Sequence, residues 1–148
     1  MFEWLADFRR IIVTGPHRSG TTIAAEMIAS DTGKPCIREE AFDCRNIILA
    51  ERSGEGVIQG PYLLPWAPIF AGADTAVIYM RRDGAAIDAS VRRLKEGGIS
   101  EPLFHWNQAW RLWQTMDVPN GYTVDYKSLR DHPLWVERRE GWGHRQTR

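Results

Sequence analysis

The chain has 148 residues, of which 43% are hydrophobic and 26% charged; that suits one domain with one core and excludes a disordered or low-complexity chain. Nineteen Lys and Arg stand against nineteen Asp and Glu, which excludes a general basic field for nucleic acid, so an anion site has to be built locally. Two cysteines, Cys36 and Cys44, are too few for a disulfide framework and suit reduced thiols, hence a cytoplasmic location.

The opening MFEWLADFRRIIVTG carries acidic residues and no long apolar run, the pattern of neither a signal peptide nor a membrane span. Within it, Arg10 to Thr14 reads as a strand buried on both faces, the mark of a parallel sheet. After a glycine-containing loop, Ile23, Met27 and Ile28 form a helical stripe closed by Gly33 and Pro35. A second short strand is expected near Cys36 to Arg38, a helix over Asn46 to Arg52, and a third strand over Val57 to Gln59. Tyr62 to Ala73 is rich in Pro, Trp and Phe and takes no assignment. Thr75 to Met80 is the fourth strand. Asp83 caps a helix with an expected buried stripe of Ile87, Val91 and Leu94, ended by Gly97 and Gly98. Leu103 to Met116 reads as a further helix, with Trp106, Trp110 and Trp113 on one face as a core stripe that could instead stack adenine or line an acceptor cleft. Tyr122 to Tyr126 is the last strand, and a short basic, aromatic tail follows from Asp131. Alternating strands and helices without repeats predict a single α/β domain over residues 1–148, three layers around a mainly parallel sheet, with a flexible tail from about 138.

The stretch GPHRSGTT, residues 15–22, stands where a strand turns into a helix. Free N–H groups at a helix N-terminus and the helix dipole favour an anion there. Gly15 and Gly20 permit conformations and close approaches that other residues resist. Thr21 and Thr22 add hydroxyl donors, and Arg18 adds a planar, permanently charged fork. The pattern is that of the phosphate loop G-x-x-x-x-G-K-[ST], except that Thr21 occupies the lysine position. Nucleoside-triphosphate enzymes of this kind place that lysine on the terminal phosphates, so its absence speaks against ordinary ATP or GTP hydrolysis.

A cation-Ser-Gly-Thr-Thr order resembles the 5′-phosphosulfate loop of the sulfotransferases, whose donor is 3′-phosphoadenosine 5′-phosphosulfate (PAPS) and which need no metal. The family's second signature is an arginine at a strand end followed eight residues later by a serine, both on the donor's 3′-phosphate. Arg82 and Ser90 match it, with Arg81 as the competing arginine and Gly84 where the family usually has a proline. An arginine at the C-terminal edge of a parallel strand is also where α/β sheets bind ligands. A third family element, a late Arg-Lys-Gly segment, is matched only loosely by Arg138, Arg139, Glu140 and Gly141. The resemblance thus implies a small PAPS-dependent sulfotransferase of P-loop type. Gly15, Arg18, Ser19, Gly20, Thr21, Thr22, Arg82, Ser90 and Arg139 would hold the donor, and Arg18 would also act in catalysis. The usable motifs span residues 10 to 95. The chain is short for the family, so segments enclosing the acceptor are expected to be small or missing.

A base that takes the acceptor's proton is expected near the loop. Glu39 and Glu40 follow the second strand, and adjacent carboxylates raise each other's pKa towards a useful range. Protein-tyrosine sulfotransferases use a glutamate in a similar pair at nearly this distance, and spacing from Thr22 favours Glu39. His17 lies in the loop; His105, His132 and His144 read as surface residues, and Trp66 as an acceptor or lid contact. No metal-ligand spacing is present. The acceptor is a hydroxyl or amine of a small molecule, saccharide or peptide, with no nucleic-acid or membrane partner and a homodimer plausible. Two other readings stay open: a P-loop nucleotide or small-molecule kinase with a variant loop, and a non-catalytic nucleotide-binding module.

Overall fold

Five residues, Arg10–Thr14, form β1, and all five are buried. Ile11, Ile12 and Val13 are β-branched and occupy both faces of a central strand, as a sheet covered on two sides requires. The computed structural model describes residues 1–38, 54–98 and 105–135. The strands are β1, β2 (Cys36–Ile37), β3 (Gly56–Gln59), β4 (Thr75–Arg81) and β5 (Gly121–Asp125), in the order β2-β3-β1-β4-β5. Every pairing is parallel, including β4 with β5, where Arg81 lies opposite Asp125. The sheet is therefore wholly parallel, and its C-terminal edge gathers the ends of β1, β3 and β4 side by side.

Period-two alternation divides the core between the faces. Ile11, Val13, Ala76, Ile78 and Met80 face α1 (Thr21–Thr32) and pack with Leu5, Met27, Ile28 and Leu129. Ile12 and Val77 face the opposite layer and pack with Leu63, Ala67 and Phe70. Each such side chain contributes about 1.5–3 kcal/mol of burial, so the two faces hold the sheet between them. The unassigned Pro-rich stretch becomes a 3-10 helix, Pro61–Trp66, running into the short α2, Ala67–Phe70. Leu63, Ala67 and Phe70 enter this second core, while Trp66 and Ile69 stay exposed.

Two further helices complete the layers: α3 (Gly84–Glu96) and α4 (Trp106–Thr115). Asp83 caps α3 as expected, accepting from the Ala86 N–H at 3.3 Å. The expected stripe is corrected in part: Ile87 is buried, but Val91 and Leu94 are only half-buried, and the other buried residue of α3 is Ser90. The last strand ends one residue early, so Tyr126 opens a 3-10 turn, Tyr126–Asp131. The expected helix over Asn46 to Arg52 lies outside the described residues. Strand, loop, helix and sheet order together form a three-layer α/β arrangement of the P-loop type. Among the described residues no helix is long and apolar enough to cross a membrane.

His132 is not a surface residue. It is 3% exposed, with Nε2 2.9 Å from Asp31 Oδ1, and its Nδ1 accepts the Leu134 N–H at 3.1 Å. That second bond leaves the ring proton on Nε2, which donates to Asp31. The Asp31 carboxylate also accepts the Phe2 N–H at 2.9 Å. The C-terminal turn, the end of α1 and the N-terminus are thus tied by one closed network.

Candidate anion-binding site

The loop between β1 and α1 is held in shape by its own atoms first. Gly15 has φ 144°, and a Cβ there would lie 2.8 Å from the Met80 carbonyl oxygen. Ser19 is fully buried; its hydroxyl and its N–H both donate to the Pro16 carbonyl, at 2.6 and 3.3 Å. Ser19, expected to touch the donor, therefore directs its hydroxyl into the loop. Arg18, a non-glycine, sits in the left-handed region at φ 66°. Gly20 follows at φ 96°, and α1 begins with no side chain capping it. Its first N–H groups remain open to an incoming acceptor of hydrogen bonds.

Thr21, at the lysine position of a nucleoside-triphosphate loop, is buried and accepts from Gln59 Nε2 at 2.9 Å. It is drawn towards β3. Thr22 is half-buried, and its hydroxyl has no partner among the described residues.

Two guanidiniums, those of Arg18 and Arg82, meet beside this loop, and the charge of Arg93 also acts on Arg18. Arg18 Nε donates to Ser90 Oγ at 2.8 Å, and Arg82 Nη1 donates to the Arg18 carbonyl at 2.8 Å. Burial, then the charges of Arg82 and Arg93, press the Arg18 pKa below its ordinary value; an arginine nonetheless stays charged at neutral pH. No ion pair joins any of the three to a carboxylate among the described residues. Ser90 reaches the loop from two turns into α3, so the residues the Arg-x7-Ser spacing named are brought together with Arg18.

Arg81 and Arg82 diverge. Arg81 lies over the Trp110 ring, 4.6 Å from its centroid, whereas Arg82 lies over Tyr126 at 4.2 Å. Between them opens a cavity of about 670 Å³ lined by Tyr79, Trp106, Trp110, Tyr126, Arg82 and Lys127, among others. That is within the range of small-molecule sites. The Trp stripe is thus only partly core: all three rings are half-buried. Trp113 stacks on Tyr79 at 5.1 Å and donates to Thr123, while Trp106 and Trp110 line the cavity.

Sequence reasoning missed two contributors. Gly84 is where the Trp106 ring rests: a Cβ would come within 2.4 Å of it, so no side chain fits there. Tyr126 packs against Gly20, whose Cβ would fall 2.6 Å from the ring. Only a register that ends β5 at Asp125 could have pointed to it.

Of the histidines, burial and then the charge of Arg18 press the His17 pKa below its ordinary value, and its buried Nδ1 has no hydrogen-bond partner among the described residues. His105 caps α4, its Nδ1 accepting the Asn107 N–H at 3.2 Å. Trp66 is 41% exposed. Glu39, Glu40, Arg138, Arg139 and His144 lie outside the described residues. Among the described residues no group of three or more His, Cys, Asp or Glu is placed to hold a metal ion.

No family model and no curated protein matches the chain. Among solved structures it is similar to that of a "putative kinase" from Chloroflexus aurantiacus j-10-fl, with 12% identity and a TM-score of 0.46, over 95% of this chain and 97% of that one. A likeness at that level carries no argument about activity, and the functional reading rests on the site.

Proposed function

We propose that the chain is a PAPS-dependent sulfotransferase that moves a sulfuryl group to a hydroxyl or amine acceptor. The observation that carries the reading is the meeting of Arg18 and Arg82 beside Ser90, with no ion pair to a carboxylate among the described residues. Like charges gathered at a partly buried edge lower stability unless an anion completes them. Two adjoining guanidiniums suit a ligand with more than one anionic group. The lysine that would serve a triphosphate is replaced by a threonine bonded to Gln59. The cavity beside Arg82, lined by Trp106, Trp110 and Tyr126 and also by Asp83 and Asp125, is of a size for a nucleoside.

PAPS supplies the sulfuryl group on a phosphate leaving group. As the sulfur–oxygen bond to that phosphate breaks, negative charge gathers on the bridging oxygen. Arg18 and the uncapped N–H groups of α1 offset it without reorganising. The acceptor's oxygen or nitrogen forms the new bond to sulfur, and its proton passes to Glu39 or, in the alternative register, Glu40.

Transfer of labelled sulfate from PAPS to a panel of hydroxyl and amine acceptors tests the reading. Glu39→Gln should abolish most turnover while leaving donor binding intact; the same result from Glu40→Gln alone moves the base by one residue. Donor binding without transfer to any acceptor class would replace the enzyme by a nucleotide-binding module.

A further inference from the structure

We infer that Tyr126 and Arg82 clamp the anion loop from outside, holding the Arg18 peptide in its left-handed conformation, so that both are positioning residues for the site. The inference rests on the reading of that loop as an anion site and adds to it what keeps the loop in shape.

A non-glycine residue at φ 66° persists only where its surroundings over-determine it. Within the loop, Ser19 ties itself to Pro16 twice, which fixes the segment before and after Arg18 but leaves the Arg18 carbonyl unheld. The hydrogen bond to that carbonyl comes from Arg82 Nη1, at 2.8 Å. Arg82 itself lies over the Tyr126 ring, its guanidinium carbon 4.2 Å from the centroid, a contact that favours a guanidinium over an ammonium. The same ring lies against the Cα of Gly20, the next constrained residue, closely enough that any Cβ would collide at 2.6 Å. Tyr126 is in turn steadied edge-on by Trp135, at 5.2 Å and 80°. One ring therefore reaches Gly20 directly and Arg18 through Arg82.

The position of Tyr126 explains why this arrangement is rigid. It is the residue immediately after β5, and β5 is paired with β4 up to Arg81–Asp125. Tyr126 and Arg82 thus each lie one residue beyond paired neighbours on adjacent parallel strands, and the sheet sets the distance between them. Tyr126 also lines the cavity, so a ligand there touches the residue that shapes the loop. No hydrogen bond involves the Tyr126 hydroxyl among the described residues; the ring face is what acts.

Amide hydrogen exchange of the ligand-free protein tests the clamp without assuming any ligand. Tyr126→Phe keeps the ring, and Ser19 N–H exchange should stay within about twofold of wild type. Tyr126→Ala should speed it by at least about tenfold while Ile12 and Val77, in paired central strands, exchange as before. Arg82→Ala leaves the Tyr126–Trp135 packing alone and should loosen Ser19 similarly, which covers a Tyr126→Ala protein that fails to fold. Unchanged Ser19 exchange in Arg82→Ala, or loosening by Tyr126→Phe as great as any, overturns the clamp. Titration of the same variants with adenosine 3′,5′-bisphosphate reads the ligand separately. If wild type does not bind it, the nucleotide reading fails while the exchange result still decides the clamp.

Discussion

Two polar clusters lie at opposite ends of α1, and they are built on opposite principles. At the C-terminal end, Asp31, His132, the Phe2 N–H and the Leu134 N–H close on one another, with each strong donor matched to an acceptor. At the N-terminal end, Arg18 and Arg82 meet on one side of the loop with a serine hydroxyl and a carbonyl as partners and no carboxylate among the described residues. A satisfied network contributes to stability. An unbalanced one costs stability and is retained where a ligand completes it. A buried His-Asp pair would ordinarily attract attention as catalytic; here its closed geometry makes it a latch.

The largest effect should come from breaking the latch. His132→Ala leaves a cavity and removes both bonds of the ring, and should lower unfolding free energy by about 3 kcal/mol in urea titration. Bisphosphate affinity of the still-folded protein should stay within about twofold; a large loss would join the two clusters functionally. Arg18→Ala should do the reverse. Affinity for adenosine 3′,5′-bisphosphate falls at least about tenfold, or about 1.4 kcal/mol, while the thermal midpoint holds or rises as repulsion from Arg82 and Arg93 is relieved. A drop in midpoint with affinity intact would make Arg18 structural.

A smaller effect should appear with pH. Burial pushes the Asp31 carboxyl up, but the Phe2 N–H, His132 and the N-terminal amine outweigh it and set its pKa below the ordinary value. A depressed carboxyl contributes stability that is present above its unfolded pKa of about 3.9 and lost as pH falls through the lower folded value. The urea midpoint should therefore be flat in this contribution from pH 7 to 5 and decline below about pH 4. Asp31→Asn should soften that decline, and an identical acid profile in the variant would refute the assignment.

Much of the fold was legible because local chemistry and global position agree in it. Ile11, Ile12 and Val13 could only be a strand covered on both faces; Gly33 and Asp83 mark helix ends through a left-handed turn and a side-chain cap. The candidate site was legible where it rests on spacing: Arg18, Arg82 and Ser90 meet because β1 and β4 are neighbours. What sequence did not disclose depends on contacts distant along the chain. Tyr126 meets Gly20 across 106 positions of sequence, and His132 meets Asp31 across 101. Neither has a periodicity or motif to announce it. Ser19, expected on the donor from the cation-Ser-Gly-Thr-Thr order, donates its hydroxyl to the Pro16 carbonyl, a contact that order does not announce. The Pro-rich stretch defeated assignment because short 3-10 and α turns follow packing more than propensity.

The most direct test of the central claim, that unbalanced arginines mark a site for a nucleotide with separated anionic groups, is calorimetric titration with adenosine 3′,5′-bisphosphate beside ATP and magnesium. The account predicts micromolar binding of the bisphosphate, weaker binding of ATP, and indifference to magnesium. Tight ATP binding with no preference for a 3′-phosphate would contradict it and leave the meeting of Arg18, Arg82 and Ser90 without the ligand assigned to it.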